Sequence, residues 1–118
     1  MGKQPGELLK TVSRWFEEHT HQPIRIVKRE QGDVDQIRMN IEHIGYRDSH
    51  TVDDYTDGLA LMLYGQGEII NNRQPTELPQ PIFEIPVEGL SAAEVNDHQM
   101  VLITERAAYS IDSIESSH

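Results

Sequence analysis

The chain has 118 residues, contains no cysteine and carries a formal net charge of −10 at neutral pH. A chain without cysteine has no disulfide, no thiolate metal site and no thiol nucleophile. A length of 118 residues is typical of one domain with one core. The sequence therefore predicts a single domain over residues 1–118, with frayed ends at residues 1–5 and 113–118.

Charge is unevenly distributed along the chain. Residues 1–47 hold 8 Lys and Arg against 7 Asp and Glu, whereas residues 48–118 hold 2 Arg against 13 acids. The acidic surface expected of residues 48–118 repels phosphate backbones and anionic lipid headgroups, so neither nucleic acid nor a membrane surface is expected as a partner. An acid-rich, lysine-poor surface also fits a bacterium that lives at high pH or high salt. A first hairpin is predicted over residues 24–42, because Gln31-Gly32-Asp33 has turn chemistry. The bases near it are expected to pair with the protein's own acidic half: Arg25, Lys28, Arg29, Arg38 and Arg47.

The first predicted element is an amphipathic helix over residues 6–20. Its apolar residues recur at helical spacing: Leu8, Leu9, Val12, Trp15 and Phe16. Trp15 and Phe16 continue this stripe and are expected in the core. Pro23 disfavours helical conformation in the residue before it, so the helix should end near His19 to His21. The imidazoles there are expected to be solvated and to face the negative end of the helix dipole.

The remaining apolar residues alternate in short runs that are typical of strands. About six are predicted, over residues 24–29, 36–42, 59–64, 82–87, 100–104 and 107–111. Residues 47–58 read as a loop, 71–81 as a polar, proline-rich connection and 91–95 as one helical turn. The predicted class is α+β, with the N-terminal helix packed on a twisted antiparallel sheet that can curl towards a barrel.

The strand over residues 59–64 is apolar on both faces. It therefore predicts either a central strand that is covered on each side or a strand at a subunit contact. One helix covers only one face of a sheet, so we expect the chain to self-associate as a homodimer through this strand or a sheet edge. Another protein is the alternative partner.

An acidic loop carries the candidate metal ligands. Carboxylates are the oxygen ligands that Mg²⁺ and Ca²⁺ prefer, and the loop supplies Asp48, His50, Asp53, Asp54 and Asp57. Their spacing departs from the EF-hand pattern, and aspartate is also common in loops because it favours turns. The sequence leaves cation binding and plain turn formation both open.

Histidines at two other places in the chain are candidates for chemistry. His19 and His21 form an H-x-H pair, but residues two apart on a helix do not face each other, so a metal role is not favoured. His43 shares the parity of Ile37 and Met39, which predicts either a buried general base or a histidine at a strand end.

Gly65-Gln66-Gly67 lacks the third glycine and the following helix of a dinucleotide loop. A turn or the close packing of a strand is therefore the better interpretation of these glycines.

No catalytic signature emerges from the sequence, and no cofactor is predicted. We therefore expect a small, acidic, non-enzymatic interaction or regulatory module. The alternative is a divalent-cation-dependent enzyme or binding protein that uses the loop from Asp48 to Asp57. Residues 1–10 lack the apolar region of a signal peptide, and no run approaches the ~18 apolar residues of a membrane span, so a cytoplasmic location is expected.

Overall fold

The computed structural model of the protein describes residues 5–47, 60–71, 74–78 and 80–114. Within them, one helix, α1 (Pro5–Glu18), precedes ten strands. The strands are β1 (Pro23–Glu30), β2 (Asp33–Asn40), β3 (His43–Arg47), β4 (Ala60–Tyr64), β5 (Gly67–Asn71), β6 (Gln74–Glu77), β7 (Ile82–Pro86), β8 (Ala92–Val95), β9 (Gln99–Ile103) and β10 (Ala108–Ser113). The α+β class is as predicted, but the strands are more numerous than six.

The strands form two open antiparallel sheets. The larger sheet has seven strands in the order β6-β5-β2-β1-β10-β9-β8, and the smaller sheet has three in the order β3-β4-β7. The suggested curling towards a barrel is wrong, because β6 and β8 end the larger sheet without pairing to each other. The second sheet and the helix close the core instead.

One hydrophobic cluster joins α1 to both sheets. Trp15 is 3% exposed and Phe16 is fully buried, which confirms that both belong to the core. They share that cluster with Ile26 of the larger sheet and Leu61 of the smaller one. The helix contacts β8, β9 and β3, so it covers one end of the fold and not a whole sheet face. No helix in the described part of the chain is long and apolar enough to cross a membrane.

The predicted first hairpin is confirmed. β1 and β2 are joined by Gln31 and Gly32, whose φ angles are 49° and 89°. Two successive positive φ values are characteristic of the type I′ turn, whose twist matches that of the flanking strands. The turn therefore fixes the register in which Ile26 lies opposite Ile37 on the inner face.

A bent two-stranded ribbon connects the two sheets. β2 pairs with β5 in the larger sheet, and β3 pairs with β4 in the smaller sheet. At the bend, the Asn40 amide donates to the Gln66 carbonyl at 3.0 Å and the Glu42 amide donates to the Tyr64 carbonyl at 2.7 Å. A Cβ added at Gly65 would lie 1.8 Å from the Asn40 carbonyl oxygen. The interpretation of this glycine as a site of close strand packing is confirmed.

Three details of the sequence-based prediction are wrong. Residues 92–95 form β8 and not a helical turn, because they pair with β9 along their whole length. The supposed connection after residue 71 contains β6, an edge strand that tolerates Pro75 because one side of an edge needs no ladder donor. Ser113 is not frayed, since it belongs to β10 and its amide donates to the His98 carbonyl at 2.8 Å.

β4 is the central strand of the smaller sheet, as one of the two alternatives predicted. Its first four residues are buried: Ala60 is 2% exposed, Leu61 and Leu63 are fully buried, and Met62 is 9% exposed. The expectation that one apolar face of this strand lies uncovered is therefore wrong, because both faces are covered within one chain.

Candidate interaction surface and charged pocket

The side of the larger sheet that faces away from the core is here called the outer face. The strand register arranges its side chains in three rows across the strands. The first row is Val34, Arg29, Ala108, Ile103 and Ala92, and the second is Pro75, Ile70, Gln36, Val27, Ser110, Val101 and Glu94. The third row is Glu77, Glu68, Arg38, Arg25, Asp112 and Gln99. Two of the three rows are therefore rich in small and β-branched apolar side chains.

These apolar side chains are accessible to solvent. Val34 is 59% exposed and Ile103 is 42% exposed. In the neighbouring row, Val27, Val101 and Ile70 are half-buried. The solvated face of an antiparallel sheet is usually polar, whereas here exposed and half-buried apolar side chains share the face with charged ones, and exposed apolar patches are typical of interaction sites. The outer face is therefore a candidate interaction surface.

Three of the five bases near the first hairpin pair with the acidic half of the chain, as predicted, whereas Lys28 pairs with Glu30 of the first half and Arg29 forms no ion pair with a described residue. Arg25 lies 3.6 Å from Asp112 and Arg38 lies 3.1 Å from Glu68, while Arg47 pairs with Glu84. Each pair joins a base of residues 1–47 to an acid of residues 48–118. The sheet order explains the first two, because the acidic strands β10 and β5 flank the β1–β2 hairpin. Such exposed pairs contribute only ~0–1 kcal/mol each, but they compensate the charges of these three bases.

A cavity of about 260 Å³ lies where the inner face of β1 meets the edge strand β7. This charged pocket is lined by Lys28, Glu30, Glu84, Pro86, Arg106 and Tyr109. Along the inner face of β1, Ile24 and Ile26 are buried in the core, whereas Lys28 and Glu30 at the next inner positions are half-buried. The pocket forms where these charged side chains replace core residues. The sequence analysis did not predict the pocket. The feature of the sequence that marks the pocket is the presence of Lys28 and Glu30 at positions where the alternation of β1 calls for core residues.

Tyr109 lies directly opposite Lys28 in the register of β1 and β10. Its side chain is only 2% exposed. Burial, reinforced by the negative charge of Glu30, raises the pKa of Tyr109 from its ordinary value of 10.0 to about 12, and Arg106 opposes this shift. The hydroxyl is therefore a protonated donor at neutral pH. It forms no hydrogen bond with another described residue.

The other charges of the pocket are unequally engaged. Lys28 Nζ lies 3.1 Å from Glu30 Oε1, and Glu84 pairs with Arg47. The Arg106 guanidinium forms no ion pair with any residue that the structure describes. Two donors, the Arg106 guanidinium and the Tyr109 hydroxyl, are thus available to a ligand.

A larger cavity of about 390 Å³ lies beside the bend of the ribbon, with Arg38, Gln66 and Glu68 in its lining. Arg38 and Glu68 are bonded to each other at 3.1 Å. Because these opposite charges satisfy each other, the charged pocket is the stronger candidate for ligand binding.

His19 is placed differently from the sequence-based expectation. Its ring is 8% exposed, stacks on Trp15 and is not solvated. Its Nδ1 lies 2.7 Å from the Trp15 carbonyl oxygen and its Nε2 lies 2.9 Å from that of Asp97. Both ring nitrogens are engaged, whereas His21 is exposed, so the two histidines do not form a metal-binding pair.

His43 is exposed, so the less favoured of the two alternatives, a buried general base, is wrong. The alternation of β2 ends at Asn40, where the chain bends into the smaller sheet. His43 begins β3 there, opposite Tyr64. The two rings are stacked, with centroids 4.4 Å apart and planes 13° apart. The alternative interpretation, a histidine at a strand end, fits this position.

The predicted cation ligands Asp48, His50, Asp53, Asp54 and Asp57 lie outside the described residues. The cation-binding hypothesis therefore stays a prediction. In the ranges that the structure does describe, no group of three or more His, Asp or Glu side chains could hold a metal ion.

Comparison with known proteins identifies relatives. The family of YmzB-like proteins matches residues 6–116. A Bacillus subtilis (strain 168) protein described as "Uncharacterized protein YmzB" is 30% identical over 107 residues, which cover 86% of this chain and 91% of the relative. No solved structure matches.

Proposed function

The chain belongs to the YmzB-like protein family, and we propose that it is a cytoplasmic, non-enzymatic interaction module that forms a homodimer through the outer face. The observation that carries this proposal is the exposure of Val34 at 59% and Ile103 at 42% on a sheet face rich in β-branched residues. Burying apolar surface contributes ~25 cal/mol per Å². A second copy of the chain carries the same apolar surface and is always present in solution with the first, so it is the partner that we propose.

The register of the outer face is self-complementary. A two-fold axis parallel to the strands, between β1 and β10, sets Val34 of one copy opposite Ile103 of the other. The same axis sets Arg25 opposite Asp112 and places no two like charges opposite each other in the three rows. An axis one strand away, between β1 and β2, would instead oppose Arg25 to Arg38. Charge complementarity therefore favours the axis between β1 and β10, which gives an isologous interface.

The strand that the sequence favoured as an interface is not part of this proposal. β4 is buried on both faces within one chain, so it offers no surface to a partner. The proposed homodimer retains the predicted self-association and moves it to the outer face, which the core and α1 leave uncovered.

Sedimentation equilibrium of the full chain tests the proposal. We expect a monomer–dimer equilibrium that shifts towards the dimer as ionic strength rises, because salt screens repulsion between copies of net charge −10. Ile103→Asp should abolish the dimer, since it places two carboxylates in the apolar row. Val95→Asp is the matched control, because Val95 is 45% exposed and lies outside the outer face.

A pair of charge variants tests the orientation. Arg25→Asp should weaken the dimer, because the new carboxylate lies beside Asp112 of its own copy and opposite Asp112 of the other copy. The double variant Arg25→Asp with Asp112→Arg should restore it. A monomer at high micromolar concentration in both buffers, with an unchanged circular dichroism spectrum, would refute the homodimer. Equal dimerisation of Ile103→Asp and the wild type would refute the outer face as its site.

A further inference from the structure

We propose that the charged pocket binds a small, singly charged carboxylate, held by the Arg106 guanidinium and the Tyr109 hydroxyl. The pocket opens between the inner face of the larger sheet and the edge of the smaller one, so this inference does not depend on the proposed homodimer. Two observations carry it: Tyr109 is nearly fully buried, lines the cavity and forms no hydrogen bond with a described residue, and Arg106 lines the same cavity without an ion pair in the described part of the chain.

The charges of the pocket determine the charge of its ligand. Lys28 and Glu30 compensate each other at 3.1 Å, and Arg47 compensates Glu84. Among the residues that the structure describes, Arg106 is left as one uncompensated positive charge. A single negative charge would complete this balance, whereas a doubly charged phosphate would add repulsion from Glu30 and Glu84. The electrostatics therefore favour a carboxylate.

The donors also match a carboxylate in number and kind. Guanidinium groups bind carboxylates through two parallel N–H donors, and such charge-assisted hydrogen bonds are about twice as strong as neutral ones. The Tyr109 hydroxyl adds a third donor, and its pKa of about 12, raised by burial and by Glu30, keeps it protonated well above neutral pH. Both oxygens of a carboxylate can thus be bound at once.

The size of the cavity limits the ligand. Pockets for drug-sized molecules have volumes of ~300–1,000 Å³, and the charged pocket, at about 260 Å³, lies below this range. Pro86 supplies an apolar wall beside the charged groups. A short-chain carboxylic acid with a small apolar group fits these limits.

An NMR titration of the full chain tests the inference, with sodium acetate as the probe and sodium chloride at equal ionic strength as the reference. We expect saturable amide shifts around Arg106 and Tyr109 at millimolar acetate. Arg106→Gln should weaken acetate binding about tenfold or more, as expected for loss of a charged hydrogen bond worth ~1.5–3 kcal/mol. Tyr109→Phe should weaken it about two- to tenfold, since a neutral hydrogen bond contributes ~0.5–1.5 kcal/mol.

Arg29→Gln is the matched control, because Arg29 lies on the outer face of the same sheet and its loss should leave the acetate titration unchanged. Arg106 is an exposed turn residue, so its variant should stay folded, which circular dichroism checks. Unsaturable acetate shifts, or equal shifts in the wild type and Arg106→Gln, would overturn the proposed site. Tighter binding of inorganic phosphate than of acetate would overturn the carboxylate assignment.

Discussion

Trp15 and His19 stack face to face, with ring centroids 3.8 Å apart and planes 18° apart. Trp15 lies in the last turn of α1 and His19 directly follows the helix, and both reach the turn between β8 and β9. Trp15 Nε1 donates to the Asn96 carbonyl at 2.9 Å, and His19 Nε2 lies 2.9 Å from the Asp97 carbonyl. The two rings therefore attach the helix to consecutive carbonyl groups of one turn.

Replacing Trp15 should reveal how much of the stability comes from this attachment. Trp15→Ala should lower the free energy of unfolding by ~3–5 kcal/mol, as expected for truncating a buried aromatic side chain. Trp15→Phe retains an aromatic ring in the core and loses the hydrogen bond to Asn96, so we expect a smaller loss. Urea denaturation of the three proteins measures both values. A near-wild-type midpoint for Trp15→Ala would contradict the packing of α1 on the core.

Tyr109 should make the protein sensitive to alkaline pH. Because the pKa of Tyr109 is raised in the folded state from 10.0 to about 12, the unfolded chain releases this proton first as the pH rises. The contribution of Tyr109 is fully present below about pH 10 and is lost between about pH 10 and 12, where the free energy of unfolding should fall by up to ~2–3 kcal/mol.

Urea denaturation at about pH 9 and about pH 11, on either side of the ordinary tyrosine pKa, measures about half of this loss, because Tyr109 is still protonated in the folded state at pH 11. Tyr109→Phe is the control, since the other tyrosines and the lysines titrate in both proteins. An equal pH dependence in the wild type and Tyr109→Phe would contradict a raised pKa.

The sequence predicted those features that depend on local periodicity. The helical stripe placed Trp15 and Phe16 in the core, and alternation gave β1, β2 and the β9–β10 hairpin. The charge split also had a structural meaning, because Arg25 and Arg38 pair with acids from the second half of the chain. These features depend on spacing along the chain or on the overall charge balance.

The division into two sheets could not be predicted in the same way. Alternation shows which side chains share a face, but it does not show to which sheet a strand belongs. The chain leaves the larger sheet between Asn40 and Glu42 through hydrogen bonds to residues 64 and 66, which are distant in sequence. His43 was therefore assigned to the wrong face. The charged pocket was missed for a related reason, because Arg106 and Tyr109 meet Lys28 only through the pairing of β10 with β1.

A metal titration tests the second function that the sequence left open. The spacing of the loop acids does not match a known calcium loop, so we expect calcium and magnesium to leave the amide resonances of residues 48–58 nearly unmoved. NMR spectra recorded during the titration measure the response. Saturable shifts at micromolar metal would instead support a cation site formed by Asp48, His50, Asp53, Asp54 and Asp57.

Gly65 should be the least replaceable glycine of the described chain. A Cβ at this position would lie 1.8 Å from the carbonyl oxygen and 2.9 Å from the carbonyl carbon of Asn40. Both are backbone atoms held by the hydrogen bonds at the bend, so no side-chain rotation relieves the contact. Gly65→Ala should therefore cost at least the ~1–3 kcal/mol typical of overpacking, because the ribbon must open where it joins the two sheets.

Gly6→Ala is the matched control for this substitution. No atom lies within 4 Å of a Cβ added at Gly6, and alanine is favoured over glycine in helices by up to ~1 kcal/mol. Gly6→Ala should therefore be neutral or slightly stabilising. Thermal or urea denaturation compares both variants with the wild type, and hydrogen exchange locates the damage. In Gly65→Ala, the amides of Asn40 and Glu42 should lose protection first because they span the bend; unchanged protection at both would show that the ribbon accommodates a side chain at Gly65.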